Sequence, residues 1–251
     1  VICVTHEVTA GGASQGSRGA GLTARDRARA QITREIRDEA LRQVAADGAQ
    51  RLSLRAVARS LGMVSSALYR YFPSRDDLLT ALIVDAYEAL SAGAEAAVAA
   101  RPRSDFRGRW RACCQAIRGW ALAHPHEYAL IYGSPVPGYQ APTETIAPAG
   151  RVAAVLGVLI SDACQADPAI ALAARRQPLP GQLAAQADAV AEAMAPGVPA
   201  PVIARVLIAW TQLFGMISLE LFGQLGGSAR PGGDFFGYAT EQMADLMGLP
   251  A

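Results

Sequence analysis

The chain has 251 residues, 51% of them hydrophobic and 18% charged, with 23 basic against 22 acidic side chains and a formal charge of +1. That balance excludes a chain too polar to build a core, and the length suits one large domain or a small domain beside a larger one. The near-neutral total hides an asymmetry: Leu22–Arg75 holds 11 Arg against 5 acidic residues, whereas the remainder holds 12 against 17. A basic front on a mildly acidic back fits a polyanion-binding head on a larger body.

The first helix is expected from about Ala24 to Ala46, with Ile32, Ile36, Ala40, Leu41 and Val44 on one side and Gly48 as its left-handed cap. Ahead of it, residues 1–22 form a Gly/Ser/Ala-rich arm without pattern, expected to be disordered. Ser53 is placed to cap a second helix from Leu54, whose Val57, Ala58 and Leu61 continue one apolar face. Gly62 then permits a chain reversal, and Val64–Tyr71 gives a third helix. Its Val64, Leu68 and Phe72 are expected inward, leaving Ser65, Ser66, Ala67, Tyr69, Arg70 and Tyr71 outside. Ser74 opens a fourth helix with Asp77 as capping-box partner, running toward Ala100. Two short helices across a tight turn, the second with small residues first and tyrosines and arginine behind, read as a helix-turn-helix that approaches a DNA groove.

Further helices are expected at Asp105–Ala123, Pro125–Tyr132, Arg151–Gln165, Pro168–Arg176, Gln182–Met194, Pro201–Gln224 and Asp234–Met247. Gly133–Gly150, with four prolines, reads as a long loop. Strand signals are essentially absent, so the fold class is all-α: a three-helix DNA-binding domain followed by a larger helical one. Domain bounds are set at 1–22 for the arm, 23–74 for the head and 75–251 for the body. Cys3, Cys113, Cys114 and Cys164 form no paired CxxC pattern and read as reduced thiols. Val1–Val4 is too short for a signal h-region, and the apolar run Val206–Leu219 falls short of a membrane span. The expectation is a soluble cytoplasmic protein.

Residues 25–79 resemble the N-terminal domain of TetR-family transcriptional regulators. The resemblance lies in Ala40 and Gly48, Ser53-Leu54-Arg55-Ala56-Val57-Ala58, Gly62-Met63-Val64-Ser65, Leu68-Tyr69-Arg70-Tyr71-Phe72 and Arg75-Asp76-Asp77-Leu78-Leu79. Ala56 stands where the family often has an acidic capping-box partner, and Arg75 where lysine is common. In the body, Trp210-Thr211-Gln212-Leu213-Phe214-Gly215, Trp120, Pro125, Tyr128 and Gly133–Tyr139 resemble the C-terminal type named for a Trp…His-Gly motif, with phenylalanine replacing the histidine. The resemblance implies a helical body that dimerises and often binds a small effector.

By their chemistry, Ser65, Ser66, Ala67 and Arg70 are candidates for base edges, arginine being able to pair bidentately with guanine. Ser53, Tyr69, Tyr71, Ser74 and Arg75 are candidates for phosphate oxygens, and Arg25, Arg27 and Arg29 for an entering basic arm. Arg55 joins them, or is simply solvated. Trp110, Trp120, Tyr128, Tyr132, Tyr139, Trp210 and Phe214 are candidates to line a pocket for a small apolar or aromatic effector, although ordinary packing is the simpler account of any single one.

The helix after Pro201 is apolar nearly all round. Its Ile203, Leu207, Ile217 and Leu221, with Phe235 and Met243, are expected at a homodimer interface, the alternative being core helices of a monomer. His124 and His126 lack converging metal ligands, and no cofactor is expected. No GxSxG, P-loop, HExxH or paired acid–base signature appears, which argues against an enzyme. The leading expectation is a repressor released from a palindromic operator by an effector. The alternative is a regulator controlled by a protein partner, or an activator.

Overall fold

A computed structural model describes residues 23–225 and 233–250, so the expected N-terminal arm and Cys3 lie outside the described residues. Eleven α-helices and no strand occur among those residues. They are α1 (Ala24–Asp47), α2 (Leu54–Ser60), α3 (Ser65–Leu68), α4 (Arg75–Ala99), α5 (Phe106–Ala123), α6 (Pro125–Tyr132), α7 (Ile146–Ala166), α8 (Ala169–Arg175), α9 (Gly181–Met194), α10 (Ala200–Leu221) and α11 (Asp234–Met247). The chain forms two compact units, a head of residues 23–85 with Ser134–Pro142 and a body of Ala86–Gly133 with the residues from Thr143 onward. The break expected at residue 74 coincides with the start of α4, and the division of the units falls inside that helix, after Asp85.

In the head, Thr23 caps α1 through a reciprocal bond with Asp26, a Thr-x-x-Asp capping box. Ile36, Ala40 and Val44 of α1 pack with Leu54, Val57, Ala58, Leu68 and Phe72 in a buried core, joined by Leu78, Leu79 and Leu82 of α4. Gly62 has φ 65, as the turn requires. Gly48 also has positive φ, 82, but with ψ 155; it ends α1 in a glycine-favouring positive-φ conformation outside the expected left-handed helical region. The helical part of α3 stops at Leu68, earlier than expected. Tyr69–Tyr71 closes as a tighter turn, with the Tyr71 N–H donating to the Leu68 carbonyl at 2.8 Å, because Pro73 disfavours helical geometry at the residue before it.

α7 begins at Ile146, not after Gly150. Pro148 sits in its first turn, where the missing N–H has no intrahelical partner to lose. The irregular segment is therefore shorter than expected, and Tyr139 within it shares a 2.9 Å hydrogen bond with Thr80.

In the body, Trp110, Cys113, Cys114 and Ile117 of α5 form the core with α7, α10 and α11. Arginines on α5 fasten it to its neighbours: Arg107 and Arg111 to Glu241 of α11, Arg107 also to Asp245, and Arg118 to Glu220 of α10 at 2.6 and 2.8 Å. Arg109, only 4% exposed, pairs with Asp162 of α7 at 2.8 Å and donates to the Arg103 carbonyl. α7 and α10 are long and apolar enough to cross a membrane by length and composition, α10 outrunning the 206–219 window. Both contribute to this core, and Asp162, Arg151 and Glu220 are neutralised by ion pairs within the body. Burial pushes the Cys113 thiol up to about 12 and Cys114 well above its ordinary value, so neither is a ready nucleophile.

Candidate nucleic-acid interface

α2 and α3 are both short, so their placement depends on caps and on the buried Leu54, Val57 and Leu68. The Ser53 hydroxyl accepts from the Ala56 N–H at 3.5 Å, a long cap bond. The neighbouring helix start is better held: the Ser74 hydroxyl donates to Asp77 at 2.7 Å and accepts from its N–H at 3.1 Å. These starts border an open groove of about 460 Å³ lined by Leu52, Ser53, Leu54, Arg55, Tyr69, Pro73, Ser74 and Arg75. Five residues singled out from sequence thus converge: Ser53, Arg55, Tyr69, Ser74 and Arg75. Hydroxyls and guanidinium groups around an open concavity are the chemistry that holds a phosphodiester.

Ser65, Ser66, Tyr69 and Arg70 are exposed, and Ala67 is half-buried beneath them. Val64 departs from expectation, being 70% exposed rather than inward. It is the N-cap of α3, with extended backbone, so the helical period that sends Leu68 and Phe72 inward does not govern it. It adds a methyl-bearing group beside the serines, suited to a thymine methyl.

Arg75 does more than line the groove. Its guanidinium donates to the Ala49 carbonyl at 3.0 Å, tying the start of α4 to the turn after α1. Arg29, whose guanidinium lies 5.1 Å from the centre of the Tyr71 ring, donates to the Arg70 carbonyl at 3.4 Å and so fastens α1 to the end of the reading segment. No local sequence signal announces this contact across 41 positions. Arg25 and Arg27 are exposed on the first turns of α1.

Residues 36–82 match the family description "Bacterial regulatory proteins, tetR family", and residues 110–243 match "Tetracyclin repressor-like, C-terminal domain". The chain belongs to the TetR family of transcriptional regulators. It is 40% identical over 202 residues to the HTH-type transcriptional regulators Rv1816 of Mycobacterium tuberculosis (strain H37Rv) and Mb1846 of Mycobacterium bovis, covering 79% of this chain and 84% of each relative. The crystal structure of the protein SCO4313 is similar at 38% identity and TM-score 0.70, over 90% of this chain and 100% of that one. A TetR family transcription regulator from Marinobacter aquaeolei VT8, at 16% identity and TM-score 0.57, shares the fold over 88% of this chain and 97% of its own. This TetR-family chain is a DNA-binding transcriptional regulator and not an enzyme.

In the body of this regulator the aromatic candidates separate. Trp210, Phe214, Tyr132 and Tyr128 form a row, with ring centres 4.5 Å apart for Trp210–Phe214, 4.3 Å for Phe214–Tyr132 and 5.2 Å for Tyr132–Tyr128. Tyr87 of α4 meets Tyr132 edge-on at 6.1 Å and donates to the Ile131 carbonyl. Tyr128 is buried, its hydroxyl sharing a bond with Ser218 and donating to the Phe214 carbonyl; burial raises its pKa, the Ser218 bond opposing the shift. Trp110 stands apart in the core, 1% exposed, its Nε1–H donating to the Thr240 carbonyl. Trp120 stacks on His124 at 5.1 Å.

The candidate interface residues also divide. Ile203, Ile217 and Met243 are buried within the protomer, Leu207 and Leu221 are half-buried, and Phe235 is exposed. Exposed instead on α10 are Ile208, Thr211, Gln212, Gly215 and Leu219, followed by the C-cap Phe222, recurring at helical spacing, and on the adjoining α11 Phe235, Tyr238, Gln242 and Leu246. No group of three or more His, Cys, Asp or Glu side chains suited to a metal occurs among the described residues.

Proposed function

We propose that this regulator is a dimeric repressor that occupies a palindromic operator in the cytoplasm and leaves it when a small apolar or aromatic effector binds the body. The observation that carries the proposal is the head itself: α3 with exposed Ser65 and Ser66, its cap residue Val64 and Arg70 in the turn that follows, beside a groove of hydroxyls and guanidinium groups. α3 supplies the base edges, and Ser53, Arg55, Tyr69 and Ser74 fix register on phosphates. Arg25 and Arg27 add charge, while Arg75 and Arg29 hold the reading segment in place. One head makes few base contacts, so a two-fold pair on a palindrome doubles them.

A second copy is the natural cover for the exposed seam of α10 and α11. Gly215 and Gly237 support it: each lies inside a helix, where glycine costs roughly 1 kcal/mol against alanine, and a Cβ at either position would meet nothing within 4 Å. No packing inside the protomer requires them, whereas a helix of a partner could approach closely there. The aromatic row supports effector control, because Tyr87 lies on the helix that also forms part of the head. An effector shifts the DNA equilibrium only by its preference for the state that has let go of DNA.

Gel-shift titration on palindromes from its own promoter region tests the reading, and absence of specific binding at moderate salt refutes it. Arg70→Ala is expected to weaken the specific complex by about 1–3 kcal/mol while leaving binding to random duplex nearly unchanged. Tyr69→Phe is expected to weaken both alike. Equal losses on both duplexes for Arg70→Ala would move that residue from base to phosphate contact.

A further inference from the structure

We propose that the crevice between α7, α9 and α10 takes a straight alkyl chain, the tail of an uncharged amphiphile, and that α9 yields to admit it. Its regulatory meaning rests on the effector reading above; the binding itself does not. The walls are Leu156 and Ile160 of α7, Val190 and Met194 of α9, and Ile203 and Trp210 of α10. No lining residue carries a charge, and the Trp210 indole N–H is the sole side-chain hydrogen-bonding group among them. A charged or hydroxyl-rich ligand would lose its hydration there with nothing in return. The lining is aliphatic except at Trp210, which suits a chain better than stacked rings. A polar head would stay in water at the mouth.

The crevice encloses about 30 Å³, room for a single water-sized group, so a chain enters only where a wall moves. α9 is the wall that buries the fewest side chains. Over 14 residues it fully buries only Ala187 and Ala191, whereas α7 and α10 each bury seven residues. Few buried apolar contacts mean a low cost of local opening. One end of α9 is nonetheless seated: a Cβ on Gly157 would lie 2.2 Å from the Met194 carbonyl oxygen, so the backbones of α7 and α9 touch there. Opening is therefore expected N-terminal to Met194, where Val190 lines the crevice one turn before that contact. Met194, unbranched and adaptable, can follow the incoming chain.

Calorimetric titration of the full chain with straight-chain 1-alkanols of six to ten carbons tests this. The expected result is saturable binding whose affinity rises about three- to four-fold per added methylene, with a negative heat-capacity change. Ala153→Leu and, separately, Val190→Phe fill the crevice and are expected to lower that affinity about ten-fold or more, with helix content and operator binding retained. Non-saturable binding, affinity indifferent to chain length, or wild-type binding by both filled variants would overturn the proposal. Should neither variant fold, hydrogen exchange on the unaltered protein decides: decanol is expected to change exchange in α9, and an unchanged α9 at saturation overturns the gate. Alkanols that bind as expected but leave the operator complex intact uphold the site and refute the effector reading. Release from operator by some other ligand, with no alkanol binding, does the reverse.

Discussion

Glutamate at both Ile208 and Leu219 is expected to split the regulator into monomers and abolish operator binding at concentrations where the unaltered protein is fully bound. Both side chains are exposed on the protomer, at 52% and 38%, so neither substitution opens a cavity and the helical content should persist. In a two-fold pair they would face the same helices of a second copy, bringing four carboxylates into an apolar seam. Each desolvated, unpaired carboxylate costs several kcal/mol, and symmetry counts every change twice. A shift of at least about 4 kcal/mol, roughly a thousand-fold in the dimer constant, follows. Sedimentation equilibrium reads the assembly state directly, and a gel shift on the palindrome reads its consequence. Gly215→Leu offers a second test without charge, since it fills the open space at the seam. A double glutamate variant that remains dimeric would place the interface elsewhere.

The head was legible because its signals are local. Gly62 at the reversal, Ser53 and Ser74 at helix starts and Leu68 and Phe72 facing inward act within a turn or two of themselves, and each is found in its expected role. α6 and α11 were legible at both ends for the same reason, Pro125 opening one and Gly248 closing the other. The face that α10 turns outward was not. A helix apolar all round carries no periodic contrast, so only the packing of α5, α9 and α11 decides that Ile203 and Ile217 go in and Ile208 and Leu219 stay out. Val64 misled because a residue at a cap leaves the helical period. The bond from Arg75 to the Ala49 carbonyl, 26 positions away, was not legible either, although the place of Arg75 at the groove was. Long-range polar contacts of this kind leave no spacing pattern behind.

The Arg109–Asp162 pair is another such contact, and removing one half of it should produce a large loss of stability. Both side chains are largely buried, 5% and 16% exposed, so Arg109→Leu leaves Asp162 charged in a poorly solvated place with only the exposed Arg103 beside it. Breaking a buried pair typically costs about 3–5 kcal/mol, and the surviving Arg103 contact places the expected loss near the lower figure. Thermal unfolding should fall by about 6–12 °C. Arg109→Leu with Asp162→Leu should recover much of the loss, because no orphaned charge remains. The same pair sets an acid limit. Burial alone would raise the Asp162 pKa, but the hydrogen bonds and charges of Arg103 and Arg109 outweigh it and hold the carboxyl below its ordinary value. Its contribution is therefore complete above about pH 5, where the unfolded carboxyl is ionised, and is lost as pH falls through the unfolded and then the lower folded value. Asp162→Asn should flatten the stability profile below about pH 4 relative to the unaltered protein. An identical acid slope in the two proteins would mean that other carboxylates set the limit.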